Sequence, residues 1–282
     1  MITLLDGATG TALWALADAN GVARMPVWKY NLEHPELVLA MHRQYIAAGS
    51  QMILSNTFSA NGPMVKRTSK YSAAEVVRAG VLLAREASEG TAVKVLCDIG
   101  PLSQLMEPYG DLEEDEVDAI FDEMISAAKE AGADGVMAET FIELESACVA
   151  ARVAKRHGMM TFVSMTFEKV GKTMMGNSVK QVCEAMEEIG VDAVGMNCSL
   201  GPVLALPIIE EFARTTKLPL LYKPNAGLPV VDASGRVQVP YTAAQFAREI
   251  APALAFVRYV GGCCNSDPTY IAEIKKQIEV QV

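Results

Sequence analysis

Several features that would direct this chain to a membrane or to nucleic acid are missing from its sequence. No apolar stretch approaches the roughly 18 residues that span a bilayer. The N-terminal segment, MITLLDGATG, lacks the basic residues and long apolar run of a secretory signal peptide. Dense Lys/Arg clusters are absent as well, and the net charge of −10 opposes binding to phosphate backbones. We therefore expect a cytoplasmic protein with no membrane and no nucleic-acid partner.

Linkers and low-complexity segments are also missing. No long Pro-, Gly- or Ser-rich stretch divides the 282 residues, so a single domain over residues 1–282 is predicted. Hydrophobic residues make up 51% of the chain and charged residues 21%, which supplies enough apolar material for a large core and argues against disorder. A chain of this length is also typical of an α/β barrel.

What the sequence does contain is a regular alternation of short apolar segments with longer amphipathic ones. Eight segments are predicted as strands, at residues 3–5, 51–55, 93–98, 134–138, 160–166, 193–197, 219–223 and 255–260. Eight are predicted as helices, at residues 35–48, 73–89, 113–131, 143–157, 179–189, 203–215, 242–250 and 268–279. Such alternation predicts parallel strands with right-handed crossovers. The expected fold is an α/β, single-domain (β/α)8 TIM barrel, and an open doubly wound sheet is the alternative.

Irregular polar segments follow most of the predicted strands. They include residues 6–11, 56–61, 100–110, 197–202 and 261–267. In a barrel, the loops that follow strands share one face, and that face carries the active site. Polar residues far apart in the sequence should therefore meet there.

Three of the six cysteines lie directly after predicted strands. Cys198 follows the sixth strand, and the adjacent pair Cys263 and Cys264 follows the eighth. In a reducing cytoplasm, such cysteines are metal ligands or catalytic groups more often than disulfide partners. Three thiolates would leave one tetrahedral position of a zinc ion open to a substrate thiol, which loses its proton on coordination. The alternative is that these cysteines are small buried apolar side chains. That interpretation is given to the other three, Cys97, Cys148 and Cys183.

Eight short motifs, in order along the chain, resemble those of the homocysteine S-methyltransferase family. That family includes betaine–homocysteine methyltransferase and the homocysteine module of cobalamin-dependent methionine synthase. The motifs are DGATGT at residues 6–11, NLEHPELV at 31–38, SNTF at 55–58, DIGP at 98–101, AET at 138–140, GMNC at 195–198, PNAGLP at 224–229 and GGCC at 261–264. GMNC and GGCC are the most specific. The resemblance implies a (β/α)8 barrel, in agreement with the strand–helix alternation.

The resemblance also implies roles for individual residues. Cys198, Cys263 and Cys264 match the zinc ligands of the family. Asp6 and Glu139 match acidic positions that hold the amino group of homocysteine, although each could instead be a solvated or loop-capping carboxylate. Further substrate contacts are expected at Gly7, Ala8, Thr9, Asn56 and Asn197. The amides around Ala8 and Thr9 would receive the substrate carboxylate, whereas the two asparagines could also brace their loops.

The implied activity is zinc-dependent transfer of a methyl group to the thiol of homocysteine, which yields methionine. The methyl donor stays open among methylcobalamin on a corrinoid protein, S-methylmethionine or S-adenosylmethionine, and betaine. PNAGLP favours a corrinoid or a small sulfonium donor. No GxGxxG fingerprint follows a strand, so a Rossmann-type site for S-adenosylmethionine is not expected.

The chain departs from the family after GGCC, where Asn265 and Ser266 replace the usual Gly-Thr. These residues lie beside the expected metal, so donor or substrate preference could differ. Three other hypotheses remain. The acceptor could be another thiol, or the partner another corrinoid system; the barrel could be a non-catalytic zinc or thiol sensor; or Lys223, at a strand end, could serve an aldolase-like lyase. Homo-oligomer formation through exposed helices is compatible with the sequence.

Overall fold

The computed structural model describes residues 1–227, 230–231, 237–238 and 241–280. The strands are β1 Thr3–Leu4, β2 Met52–Leu54, β3 Lys94–Ile99, β4 Gly135–Phe141, β5 Met160–Met165, β6 Ala193–Asn197, β7 Leu220–Lys223, β8 Val230–Val231, β9 Val237–Gln238 and β10 Tyr259–Val260. Eight of them form one sheet in the order β1-β10-β7-β6-β5-β4-β3-β2, and every neighbouring pair is parallel. The pair β8 and β9 forms a separate antiparallel ribbon.

The two ends of this sheet also meet. The amide of Gln51, just before β2, donates to the carbonyl oxygen of Leu4 in β1 at 2.8 Å. In return, the amide of Leu4 donates to Oε1 of Gln51 at 3.0 Å. These bonds join the first strand to the second, so the sheet curls into a barrel. The predicted (β/α)8 fold is confirmed, and the open-sheet alternative is wrong.

The helices surround the barrel and follow the predicted pattern closely. They are α1 Thr9–Ala19, α2 Tyr30–Glu33, α3 Pro35–Ala48, α4 Gly62–Thr68, α5 Ala73–Ala87, α6 Glu114–Glu130, α7 Leu144–Arg156, α8 Val179–Ile189, α9 Pro202–Thr215, α10 Ala243–Ile250 and α11 Pro268–Val280. The predicted helices each correspond to one of these. Short 3₁₀ turns occupy Val27–Lys29 and Ala251–Ala255.

Three helices, α1, α2 and α4, lie in segments where no helix was predicted. The glycine-rich start of α1 resembles a loop, but Leu13 and Ala17 lie four residues apart on one face and are fully buried. The sequence of this segment has only a weak amphipathic pattern and does not predict a helix. Burial of that face against the core stabilises the helix. As a result, the loop after β1 places the N-terminus of α1 at the face of the barrel where the strands have their carboxyl ends, which is called the upper face.

Local capping fixes where several of the outer helices begin. Ser72 accepts a hydrogen bond from the amide of Glu75, whose carboxylate accepts from the amide of Ser72, and this is a capping box at the start of α5. Ser178 and Gln181 form the same arrangement at the start of α8. Each box satisfies amides that would otherwise lack partners in the first helical turn.

The core consists of two layers that the strands separate. Alternate strand residues, such as Val95 and Cys97, point outward and pack against the helices. The residues between them point into the barrel, where a second apolar cluster fills the lumen: Leu5, Met52, Leu54, Leu96, Met137, Phe162, Ala193 and Leu221. The lumen is therefore closed by packed side chains, and a site can form only above this apolar layer.

Among the described residues, none of the helices is long and apolar enough to cross a membrane. The PNAGLP motif starts directly after β7, and its last two residues, 228 and 229, lie outside the described residues.

The buried imidazole of His42 in α3 predicts a specific loss of stability in acid. Its two ring nitrogens have no hydrogen-bond partner among the described residues, and burial lowers its pKa from 6.5 to about 4. Above pH 6.5 the ring is neutral in both the folded and the unfolded chain. As the pH falls from 6.5 towards 4, only the unfolded chain takes up the proton, so about 2 kcal/mol of stability is lost by pH 5.

Urea denaturation of the wild type and of His42→Leu at pH 7.5 and pH 5 tests this prediction. The decrease in the free energy of unfolding from pH 7.5 to pH 5 should be about 2 kcal/mol smaller in the variant than in the wild type. An equal pH dependence in both proteins would show that His42 is not the group responsible.

Candidate functional site

The three cysteines that follow strands come together at the upper face of the barrel. Cys198 lies just after β6, and Cys263 and Cys264 lie after β10, with β7 between these two strands. Their Sγ atoms all lie within 4.8 Å of one another, and those of Cys198 and Cys264 are 3.7 Å apart. All three thiols are free. Distances of this size fit three ligands on one soft metal ion.

The backbone holds these thiols by contacts between neighbouring strand ends. The amide of Cys198 donates to the carbonyl of Lys223 at 3.1 Å, and the amide of Cys263 donates to the carbonyl of Pro224 at 2.9 Å. Cys198 has a φ of +62°, in the left-handed region that non-glycine residues seldom adopt. Both loops are thus anchored to the end of β7, so the distance between the sulfurs is set by the spacing of the strands.

The loop after the cysteine pair explains how this chain accommodates Asn265 and Ser266. Asn265 has a φ of +66°, and asparagine is one of the few residues other than glycine that tolerates this conformation. Its Nδ2 donates to the carbonyl of Gly227 at 2.8 Å. The Ser266 hydroxyl donates to the carbonyl of Cys263 at 2.5 Å. Asn265 and Ser266 therefore fit the local backbone of the loop.

The three thiols differ in how readily they ionise. Hydrogen bonds from Cys263 and Cys264 lower the pKa of Cys198 to about 3, so its thiolate forms first. The bond to Cys198 raises the pKa of Cys264 to about 11 and raises that of Cys263 well above its usual value, with burial adding to both. The cluster thus loses one proton readily and resists losing the others. A divalent cation would offset the accumulating negative charge, and the donor set fits one.

The two predicted acidic residues also reach the site, but a lysine lies between them. Nζ of Lys223 is 3.0 Å from Oε2 of Glu139 and 3.5 Å from Oδ1 of Asp6. The other oxygen of Asp6 accepts a hydrogen bond from the amide of Leu54 at 2.7 Å. Lys223 and Asp6 are each 1% exposed and Glu139 is 8% exposed. The sequence placed Lys223 at a strand end but did not predict this ion pair.

Burial would remove the charge from Lys223, but its acidic neighbours prevent this. Desolvation lowers the pKa of Lys223, and the carboxylates of Glu139 and Asp6 outweigh that effect and hold the pKa above its ordinary value. The amine is consequently a charged ammonium at neutral pH. A protonated lysine cannot attack a carbonyl, which disfavours the aldolase hypothesis.

The glycine-rich turn after β1 leads into the start of helix α1. The amide of Ala8 is already used, because it donates to the carbonyl of Ser266 at 2.9 Å. Thr9, in contrast, is the first residue of α1, which has no acidic residue in its first turn and no side-chain cap. Gly7 lies so close to Ser266 that a Cβ there would be 2.2 Å from the Ser266 carbonyl oxygen. The amides at the start of α1 therefore offer a positively polarised end to an anion.

Both predicted asparagines are engaged by the protein. Asn56 donates through Nδ2 to the carbonyl of Val27 and to Oδ1 of Asn31, both at 2.8 Å. Oδ1 of Asn197 accepts from the amide of Thr140 at 2.8 Å and from the hydroxyl of Ser164 at 2.7 Å. The contacts of Asn56 brace the loop after β2, and those of Asn197 join the ends of β4, β5 and β6.

Asn197 also contacts the cysteine cluster. Its Nδ2 donates to the Thr140 hydroxyl at 2.7 Å and lies 3.7 Å from Sγ of Cys263. One side chain therefore ties β4, β5 and β6 to a sulfur atom of the cluster.

A cavity of about 350 Å³ joins most of these groups, although neither Asp6 nor Asn197 lines it. It contains the three cysteines, the carboxylates of Glu139 and Asp98, the ammonium of Lys223 and the start of α1. Its lining also includes the aromatic side chains of Trp14, Trp28 and Phe58. The cavity has the size and the mixed lining of a pocket for a small polar molecule. Asp98 belongs to the DIGP motif, and the sequence pattern predicts no function for it.

Comparison with known proteins identifies the family. A sequence model described as homocysteine S-methyltransferase matches residues 3–278. The chain belongs to the homocysteine S-methyltransferase family. The resemblance carried by the short motifs is thereby confirmed over almost the whole barrel.

Curated relatives of this family member include two proteins named methionine synthase, from Mycobacterium leprae (strain TN) and Mycobacterium tuberculosis (strain ATCC 25618 / H37Rv). Each is 29% identical to the chain, and each alignment covers 95% of the chain and 24% of the relative. The chain thus spans about a quarter of the length of these relatives.

Solved structures of the homocysteine methyltransferase MmuM from Escherichia coli share the fold. The metallated form superposes with a TM-score of 0.81 at 23% identity, over 98% of this chain and 96% of that one. The oxidised form gives a TM-score of 0.79 at 24% identity, over the same shares of the two chains. The likeness supports the barrel architecture.

Proposed function

We propose that this family member is a zinc-dependent S-methyltransferase that transfers a methyl group to the thiol of homocysteine, which yields methionine. The observation that carries the proposal is the group of three cysteine Sγ atoms, within 4.8 Å of one another, in a cavity that also contains carboxylates and an exposed helix N-terminus. A metal-binding thiol cluster beside groups that recognise an amino acid suits an amino-acid thiol as acceptor. A zinc or thiol sensor would have no need for the second set of groups.

Cys198, Cys263 and Cys264 would hold the zinc ion. A bound zinc ion would strongly lower the pKa of a substrate thiol that occupies its free coordination position. Three protein ligands leave that position free, as in other catalytic zinc sites. Asn197, whose Nδ2 lies 3.7 Å from Cys263, would orient that sulfur.

The remaining residues of the cavity would bind and orient the acceptor. The amides at the start of α1, from Thr9 onward, would receive its carboxylate at the positive end of the helix. Buried carboxylates on the facing strands would receive its ammonium group. The sulfur of the acceptor then points to the cysteines. Fixing a nucleophile in this way supplies much of the acceleration of a two-substrate reaction.

The transfer itself is a displacement at carbon. The sulfur of the acceptor donates an electron pair to the methyl carbon, the new S–C bond forms, and the bond to the donor breaks with its electron pair left on the donor. We propose a corrinoid-bound methyl group or a small sulfonium as the donor, ahead of betaine. The PNAGLP motif and the relatives named methionine synthase support a corrinoid donor.

A donor screen on protein purified under reducing conditions tests the proposal. Zinc per chain is measured first, and methionine formation from homocysteine is then followed with methylcobalamin, S-methylmethionine, S-adenosylmethionine and betaine. We expect about one zinc per chain and activity with a corrinoid or a sulfonium. A folded, reduced protein that binds no zinc when the metal is supplied would rule out the mechanism.

Asn197 provides a second test that is independent of the donor. Asn197→Ala removes the contact with Cys263 and leaves the Thr140 amide and the Ser164 hydroxyl without their acceptor. We expect zinc affinity to fall by roughly 10–100-fold, the usual effect of losing an outer-shell partner. Competition with a chromogenic chelator measures this. Asn56→Ala, which disturbs a brace that does not touch the cysteines, is the matched control and should retain wild-type zinc affinity.

A further inference from the structure

The ammonium group of Lys223 lies inside the barrel, beside the carboxylates at the cavity floor. Lys223 is the last residue of β7 and follows Leu221 of the apolar lumen layer by two positions, so both side chains point to the inner face. Its Nζ donates to Oε2 of Glu139 at 3.0 Å and lies 3.5 Å from Oδ1 of Asp6. Because the residue is 1% exposed, its charge depends on these two partners for stabilisation.

This internal cation already uses the carboxylates that an amino group of the acceptor would need. Lys223 and Glu139 line the cavity, whereas Asp6 does not, and its second oxygen accepts from the amide of Leu54 at 2.7 Å. Asp98 lines the cavity too, but burial, with Glu139 nearby, raises its pKa well above the usual value and so favours the neutral carboxyl group. An ammonium group that enters from the cavity therefore meets Glu139 with one oxygen already bonded to Lys223.

The free energy available to such an ammonium group is small for that reason. If Lys223 keeps its place, the two cations share Glu139 and repel each other at close range. If Lys223 gives up Glu139, one buried ion pair is lost as the other forms, and the displaced ammonium stays in the lumen with Asp6 alone. In both cases the amino group of the acceptor adds little net binding energy.

We propose that Lys223 is an internal competitor for the amino group of the acceptor, and that this chain therefore also binds thiols that carry a carboxylate but no amino group. The inference rests on the proposed methyltransferase function and widens its acceptor class to simple mercaptocarboxylates. Such a thiol still finds the start of α1 for its carboxylate and the three cysteines, with their metal, for its sulfur. Lys223 is in this sense a specificity-determining residue.

4-Mercaptobutanoate, which is homocysteine without its amino group, is the matched probe. Titration calorimetry on the zinc-loaded wild-type protein should give affinities for this thiol and for L-homocysteine that differ by less than about tenfold, whereas a close charge pair that formed without competition would contribute about a hundredfold or more. A wild-type preference for homocysteine above about a hundredfold would overturn the inference and leave the proposed function intact. Binding of neither thiol would overturn the proposed function itself.

Lys223→Met removes the ammonium group and keeps an unbranched side chain of similar length. With the competitor gone, the preference for homocysteine over 4-mercaptobutanoate should rise at least about tenfold. Lys217→Met is the matched control, because Lys217 is an exposed lysine just before β7, and it should keep the wild-type ratio. Zinc content and thermal unfolding establish that the variants are folded, and Lys223→Gln replaces Lys223→Met if the thioether is not tolerated. An unchanged ratio in the folded Lys223 variant would overturn the inference.

A small amine distinguishes competition from a merely structural role of Lys223. Lys223→Ala leaves room beside Glu139 and Asp6, and methylammonium chloride can supply the missing cation there. The amine should weaken the binding of homocysteine to this variant but not that of 4-mercaptobutanoate, and sodium chloride at the same concentration should not have this selective effect. Wild-type protein, whose site is filled by Lys223, should not respond. Equal responses of the two thiols to methylammonium, or none, would overturn the inference.

Discussion

Replacement of Cys198 by alanine is expected to abolish zinc binding and methyl transfer together. Cys198 is the thiol that ionises first, since side-chain hydrogen bonding with Cys263 and Cys264 lowers its pKa to about 3. Its removal leaves a neighbouring pair of thiols with two ligand atoms instead of three. The loss of zinc affinity should exceed the roughly 10–100-fold effect of an outer-shell change, because a direct ligand is lost.

Elemental analysis and a methionine-formation assay on the same preparation measure both effects. The variant should contain well under one tenth of the wild-type zinc, and its rate should fall by more than about a hundredfold. Cys183→Ala is the matched control. That cysteine lies on α8, is 1% exposed and belongs to the outer apolar layer. It should retain zinc and activity, and any loss of stability should not change the metal content of the folded protein.

Two other outcomes would contradict the proposed site. If Cys198→Ala binds zinc as tightly as the wild type, then the metal ligands are not these three thiols. If zinc is lost but methionine still forms at the wild-type rate, then thiol activation does not depend on the metal. In the second case, the polar groups of the cavity would have to deprotonate the acceptor.

The fold was predictable because the barrel repeats one unit whose pattern is local. An apolar strand of about five residues followed by an amphipathic helix can be recognised from periodicity, and helices such as Val179–Ile189 match the prediction residue for residue. Helix α1 was missed because its helical conformation depends on the packing of Leu13 and Ala17 against the core. Tertiary contacts of this kind cannot be recognised from a short segment.

The site was predictable only in part, for a related reason. The cysteines could be grouped because they follow strands of one barrel, and carboxyl ends of barrel strands share a face. The pairing of Lys223 with Glu139 and Asp6 depends on which side chain crosses the lumen, and sequence separation carries no information about that. The inward position of Asp98, in contrast, could have been found from the alternation that places it two residues after Leu96.

A second large effect is expected at Gly195, the glycine of the GMNC motif, where alanine should disrupt the barrel. Gly195 pairs with Leu221 across β6 and β7. A Cβ at Gly195 would lie 1.8 Å from the carbonyl oxygen of Leu221 and 2.9 Å from its amide nitrogen. Both atoms belong to the backbone of a central strand, so no side-chain rotation relieves the overlap. We expect a loss of more than about 4 kcal/mol in the free energy of unfolding.

The same substitution at Gly10 is the matched control. A Cβ there has Val27 Cγ2 as its nearest neighbour, at 3.7 Å, and lies in the first turn of α1. Gly10→Ala should therefore raise stability by up to about 1 kcal/mol, because alanine restricts the unfolded chain and favours a helix. Urea denaturation of both variants checks these opposite signs.

Since β6 leads to Cys198 and β7 ends at Lys223, any folded fraction of Gly195→Ala should also show weakened zinc binding. A loss below about 1 kcal/mol in Gly195→Ala would mean that β6 and β7 are not as close at this position as the structure has them.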